Sequence, residues 1–168
     1  MAALMAARIV GANPIIGVDI IPMRLELALA LGATHTINNR QDDIITRLSD
    51  ITGGGVDYVL ETTGNPKLLQ LAINVLNPQG TAAIFSGEND PVPLSEGRKI
   101  LGIIEGDAIP QQFIPRMIEL YQAGQFPFDR LLKFYDFSEI NQAIADARRG
   151  DTIKPVLRVN EPLDVSEQ

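Results

Sequence analysis

The stretch Ile15–Gly32, IIGVDIIPMRLELALALG, decides the fold. A short apolar run ends on a single carboxylate, Asp19, and passes through Pro22 into a helical pattern that stops at Gly32. An apolar run bounded in this way reads as a buried parallel strand. Proline at the first helical position and glycine just past the last one mark the ends of the helix that follows. The unit is therefore a strand with one acid at its C-terminal tip, followed by a crossover helix.

Working outward, the same grammar repeats. Ala2–Val10 reads as a helix closed by Gly11, with Asn13-Pro14 as the turn into the strand. Thr34–Asn38 is a short strand, and QDDIITRLSDIT (Gln41–Thr52) an amphipathic helix ended by Gly53–Gly55. Strand Val56–Glu61 and helix Pro66–Leu76 follow, and Pro78-Gln79-Gly80 turns the chain into strand Thr81–Phe85. Gly87–Gly97 is a polar loop and Lys99–Glu105 a strand with no helix before it. Helix Pro110–Ala123, strand Leu131–Tyr135, helix Ser138–Arg149 capped by Ser138, and strand Thr152–Val159 complete the pattern. Short glycine-marked connections between alternating elements predict an α/β fold, a mainly parallel, doubly wound sheet with helices on both faces.

Composition narrows the function. The chain has 168 residues, a net charge of −7 and 45% hydrophobic residues, enough for a core and unfavourable for nucleic acid or anionic membrane. No apolar run approaches the roughly 18 residues that span a bilayer, so membrane insertion is not expected and the cytoplasm is the expected compartment. There is no cysteine and one histidine, His35, between Gly32 and a polar segment, where it reads as a partly exposed loop or strand residue. No metal site and no Ser-His-Asp arrangement is expected, and no spacing favours a carboxylate dyad among Glu88, Asp90, Glu105 and Asp107.

An acid at the tip of a strand in such a sheet can accept hydrogen bonds from two ribose hydroxyls and repel a 2′-phosphate. Asp19 is thus a candidate for NAD, not NADP, although an acid before a helix is also an ordinary entry residue. Arg24 would lie beside the same ribose. Ligands of open sheets sit beyond the carboxyl ends of the strands, and the other ends are Glu61–Asn65, Phe85–Asn89 and Ile103–Asp107. Each holds a glycine, which plain turns also favour. Lys154 could meet a phosphate as a point charge. The residues ahead of the first strand contain no Gly-x-Gly-x-x-Gly.

The residue order MAALMAARIVGA-NPIIGVDIIPMRLELALALGATHTIN, GGGVDYVLETTGNPKLL, LNPQGTAAIFSG and PFDRLLKFYDFSEINQAIADARRGDTIKPVLRV resembles the coenzyme domain of zinc-type medium-chain alcohol dehydrogenases. GRKILGIIEGDAIPQQFIPRMIELYQAGQFPFDR looks most like their aryl (benzyl) alcohol branch. The resemblance implies a Rossmann sheet, a zinc-bound alcohol and hydride transfer to NAD. It assigns the ribose-binding acid to Asp19 and the basic residue beside it to Arg24. Ile20 and Thr63 match positions around the adenine; Phe85, Gly87, Ile103 and Glu105 match stretches lining the nicotinamide. Lys154 matches the residue that reaches the pyrophosphate, and Lys99–Glu105 the edge strand through which the family forms homodimers.

Set against the family, the chain resembles a C-terminal half: the first, central strand, its Gly-rich turn and the zinc-bearing domain have no counterpart in it. The expected parts are an NAD-binding region 1–107, a segment 108–159 that packs with the catalytic domain, and a tail 160–168. Each buried backbone group left unpaired beside the central position costs about 1–3 kcal/mol, so several rival a domain's stability of about 5–15 kcal/mol. Either the flanking strands close up, or another chain supplies the strand and the zinc domain, or the product is truncated. The expectation is the coenzyme-binding half of an NAD-dependent alcohol dehydrogenase, inactive alone. The alternatives are a non-catalytic nucleotide-binding or assembly module, and one half of a split enzyme.

Overall fold

A computed structural model describes residues 1–85 and 93–159. The elements alternate as read: α1 (Ala2–Ile9), β1 (Ile16–Asp19), α2 (Pro22–Leu31), β2 (His35–Asn38), α3 (Ile44–Thr52), β3 (Val56–Glu61), α4 (Pro66–Asn74), β4 (Leu76–Ile84), β5 (Lys99–Gly102), α5 (Pro110–Gln122), β6 (Leu132–Asp136), α6 (Ile140–Arg149) and β7 (Lys154–Arg158). The strands form three sheets, β1-β2, β3-β4-β5 and β6-β7. Every registered pair in the last two is parallel. Among the described residues β1 pairs with β2, and β3 with β4.

Two compact units divide the chain, one made of Met1–Thr36 with Leu120–Gln168 and the other of Ile37–Glu119. In the first, Ile15, Ala28 and Ala33 form a buried cluster against Leu4 and Ala7. In the second, Leu69 and Ile73 of α4 pack on Ile84, with Ile100 beside them. The apolar positions of α4 recur at helical spacing, which is why one face of the helix covers the sheet.

Several boundaries differ from those read in the sequence, the largest of them for identifiable reasons. Helix α3 begins at Ile44 because the Asp43 carboxylate accepts the Thr46 N–H at 2.8 Å, while Gln41 and Asp42 turn back on the Asn38 carbonyl. Helix α4 stops at Asn74 because Val56 N–H donates to the Val75 carbonyl and Leu76 pairs with Val56. The Pro78-Gln79-Gly80 segment lies within β4, where Gln79 takes φ 65° and the register shifts between Val56 and Tyr58. Strand β5 ends at Gly102 because Glu105, Gly106 and Asp107 all take left-handed φ, 53°, 62° and 52°. At the C-terminal end, the turn before α6 is closed not by Ser138 but by a reciprocal box, in which Asp136 N–H donates to Glu139 Oε2 at 2.9 Å.

Asn65 caps α4 by accepting the Lys67 N–H at 3.0 Å. Asn65→Ala should therefore lower stability by about 0.5–2 kcal/mol, read as a reduced urea midpoint at unchanged m-value.

Candidate functional site

Strand β1 delivers Asp19 to the entrance of α2, and the entrance needs it. Ile21 at the helix cap has no side chain that can accept a hydrogen bond, and Pro22 lacks an N–H. Asp19 Oδ1 fills the gap by accepting from Ile20 N at 2.7 Å and Ile21 N at 3.0 Å. That saturates one oxygen and fixes the carboxylate. Oδ2 takes neither bond and faces Arg24 Nη1 at 3.9 Å, with the two side chains 26% and 29% exposed. Arg24 Nε is buried without an acceptor, a donor left over inside the turn. Ile20 stands 41% exposed next to the acid, offering a flat apolar surface.

The turn thus presents a held carboxylate oxygen, a guanidinium and an apolar flank within a few residues. A vicinal diol can donate to the oxygen, and a flat base can lie on the isoleucine. A buried charged donor without a partner is costly, and an incoming hydroxyl or phosphate oxygen would satisfy it.

The same unit carries the most strongly held acid among the described residues. Asp146 of α6 is 5% exposed. It accepts from Tyr135 Oη at 2.7 Å and Lys133 Nζ at 3.0 Å, and also from Gln142 and Arg149. Tyr135 and then Lys133 hold its carboxyl well below the usual carboxylate range. Lys133, also 4.9 Å over the Tyr135 ring, keeps its proton more firmly than usual through the same partners. Every lone-pair direction is occupied, so Asp146 ties β6 to α6 and leaves nothing for a ligand. Lys154 opens β7 in this unit and is exposed.

In the other unit, three candidates follow the tips of adjacent parallel strands. Thr63 lies past β3, Phe85 past β4 and Ile103 past β5. Phe85 N donates to Glu61 O at 3.0 Å and Ile103 N to Ile84 O at 2.8 Å, which sets the tips side by side. Phe85 is 45% exposed and Glu105 is exposed. Glu61, 6% exposed, accepts from Thr63 N at 2.8 Å, Thr63 Oγ1 at 2.5 Å and Gly64 N at 2.9 Å. It is spent on the turn, and so is the Thr63 hydroxyl, which also accepts from Asn65 N at 3.1 Å. Thr63 can offer a ligand its methyl and backbone. Beyond β5 an open groove of about 410 Å³ has Glu105, Asp107, Phe113 and Arg116 on its walls. Gly87 lies outside the described residues.

The structure therefore brings Asp19, Ile20 and Arg24 into one turn and Thr63, Phe85 and Ile103 onto one sheet end. Two residues of the Asp19 turn escaped the sequence reading. Ile21 donates to the acid, and Gly150, at the end of α6, lies against Ile21 and Arg24. Gly150 was legible as a helix stop, but its long-range contact leaves no mark in a local pattern.

Among the described residues no group of three or more His, Cys, Asp or Glu could hold a metal ion, and the chain has no cysteine. The donor set does not fit the family's zinc centres. No helix among the described residues is long and apolar enough to cross a membrane.

The pattern of zinc-binding dehydrogenases matches residues 1–123. Geraniol dehydrogenase from Castellaniella defragrans is 40% identical over 166 residues, covering 94% of this chain and 44% of that protein. Among solved structures, an alcohol dehydrogenase zinc-binding domain protein from Burkholderia ambifaria superimposes with a TM-score of 0.86 at 48% identity, covering 95% of this chain and 45% of that one. Benzyl alcohol dehydrogenase from Acinetobacter calcoaceticus also gives 0.86, at 43% identity, over 94% and 46% of the respective chains. The chain spans less than half the length of each of these relatives.

Proposed function

We propose, for a chain that belongs to the zinc-binding dehydrogenase family, that it is the coenzyme-binding half of an NAD-dependent alcohol dehydrogenase. The observation that carries this reading is the Asp19–Arg24 turn, with its fixed carboxylate and its orphaned Arg24 Nε. Bound at such a turn, NAD would supply the hydride acceptor for alcohol oxidation. Asp19 would accept the adenosine ribose hydroxyls, and its charge would disfavour a 2′-phosphate. Ile20 would support the adenine with Thr63, and Arg24 would stay beside the ribose. Phe85, Gly87, Ile103 and Glu105 would line the nicotinamide, while Lys154 would meet the pyrophosphate as a point charge.

Residues 1–107 form the nucleotide part of this reading, and 108–159 the segment that meets a catalytic domain. Zinc, which these residues do not fit, would be held elsewhere in the longer protein. Two relatives support a substrate class. Geraniol and benzyl alcohol both carry the carbinol carbon next to an unsaturated carbon, so an aryl or allylic primary alcohol is proposed. Among the described residues strand β5 lies at the end of its sheet and pairs only with β4, which supports a homodimer through Lys99–Glu105. Cytoplasmic residence fits an acidic chain that uses NAD.

Isothermal titration tests the reading: micromolar NAD binding with NADP markedly weaker is expected, and no heat with either nucleotide removes it. Benzyl alcohol, NAD and zinc together should give no NADH absorbance with this chain alone. Turnover at the level of a complete dehydrogenase would show that the chemistry resides within these residues.

A further inference from the structure

The C-terminus of α6 touches the nucleotide turn at one residue. Gly150 closes the helix with φ 85°, its N–H donating to Ala147 O at 3.2 Å while Asp151 N–H donates to Asp146 O at 2.9 Å. That pair of bonds is the Schellman arrangement. A Cβ at position 150 would overlap Ile21 Cδ1 and would lie 3.5 Å from Ile21 Cγ1 and 3.6 Å from Arg24 Nη2. A side chain there displaces the Ile21 δ-methyl and strains the left-handed backbone. Ile21 is the same residue whose N–H fixes Asp19, and Arg24 N–H donates to Ile21 O at 3.0 Å. The last carbonyls of a helix carry partial negative charge, which favours a guanidinium beside them.

We infer that Gly150 is a positioning residue for the Asp19–Arg24 pair, holding Ile21 and the guanidinium where the carboxylate can face a ribose. The inference rests on the dinucleotide reading of that turn and extends it to a residue more than a hundred positions away in the chain. Selectivity at the turn is then set from α6 as well as from Asp19 itself. A side chain at 150 would push Ile21 and Arg24 without touching the nucleotide.

Backbone strain can be separated from contact. Gly53 has a similar left-handed φ of 74°, with nothing within 4 Å of an added Cβ. Asparagine tolerates that conformation, so Gly150→Asn and Gly53→Asn differ mainly in the overlap. Calorimetric titration with NAD should show about a tenfold loss for Gly150→Asn, the scale of one charge-assisted hydrogen bond, and no change for Gly53→Asn. Ile21→Ala combined with Gly150→Asn should recover affinity relative to Gly150→Asn alone. The Arg24 Nε–H resonance in a nitrogen-15 NMR spectrum should move in Gly150→Asn and stay in Gly53→Asn, with no nucleotide present. Equal NAD affinities and an unmoved resonance would overturn the role of Gly150. If the unaltered protein gives no heat with NAD while the resonance still moves, it is the dinucleotide reading that falls and the positioning stands.

Discussion

Asp19→Asn should weaken NAD binding by about 10- to 100-fold and narrow the preference over NADP, with the urea midpoint nearly unchanged. The argument turns on the two carboxylate oxygens having different work. Oδ1 is committed to the backbone of Ile20 and Ile21, and an asparagine oxygen can accept the same two bonds. The turn therefore survives. What is lost is the acceptor facing Arg24, because that atom becomes an NH2 donor, and with it a hydrogen bond to a charged group worth about 1.5–3 kcal/mol. With the charge gone, a 2′-phosphate is no longer repelled, and Arg24 becomes a cation available to it. NADP affinity should thus rise as NAD affinity falls. Asp19→Ala is the poorer test because it also strips the helix entrance of its acceptor. Parallel titrations of both nucleotides read the result, and an unchanged NAD affinity in a folded Asp19→Asn protein would rule out a ribose contact.

Removing the other acid should unfold rather than disarm. Asp146→Ala leaves the Tyr135 hydroxyl buried without its acceptor and separates Lys133 and Arg149 from their shared counter-charge. Lys133 and Arg149 are half exposed and regain water, so the cost falls mainly on the buried Tyr135 hydroxyl left without an acceptor. Tyr135→Phe removes one bond and should cost about 1.5–3 kcal/mol, and Asp146→Ala should cost more than that in the same denaturation series. The pH dependence has a definite sign. A carboxyl whose folded pKa is depressed stabilises the fold at all pH values above its unfolded pKa, and loses that contribution as pH falls. The unfolded value is about 3.9, so the contribution of Asp146 is complete at neutral pH and drains away below pH of about 4. Asp146→Asn should flatten that acid limb of the stability curve.

Much of the fold could be read before any coordinates, because alternating periodicity and glycine stops are local signals. Pro22–Leu31 and Val56–Glu61 have the bounds that the sequence marks out. The boundaries that the sequence misses fall where a distant strand or an unmarked local turn decides. Asn74 ends α4 because β3 claims Val75 and Leu76, and nothing in NVLNPQG announces this. Three consecutive left-handed residues end β5, and two of them, Glu105 and Asp107, are not glycine. Asp136 outcompetes Ser138 because the box needs Glu139 in register with it. At the Asp19 turn, Asp19 and Arg24 are visible in the sequence as an acid and a base at short spacing. The division of labour between the acid's two oxygens, and the glycine packed on Ile21, depend on side-chain direction and tertiary contact.

The discontinuous first unit has a consequence for how the molecule is made. Its halves, Met1–Thr36 and Leu120–Gln168, are separated by the whole of the second unit, and the Arg130–Ala30 hydrogen bond spans 100 positions. On a ribosome, Ile37–Glu119 can assemble as soon as it emerges, whereas the Asp19 turn meets Gly150 only after α6 has been translated. Long-range closure of this kind slows folding. During synthesis the Asp19 turn is thus among the last features to reach its final form, completed only when Gly150 arrives.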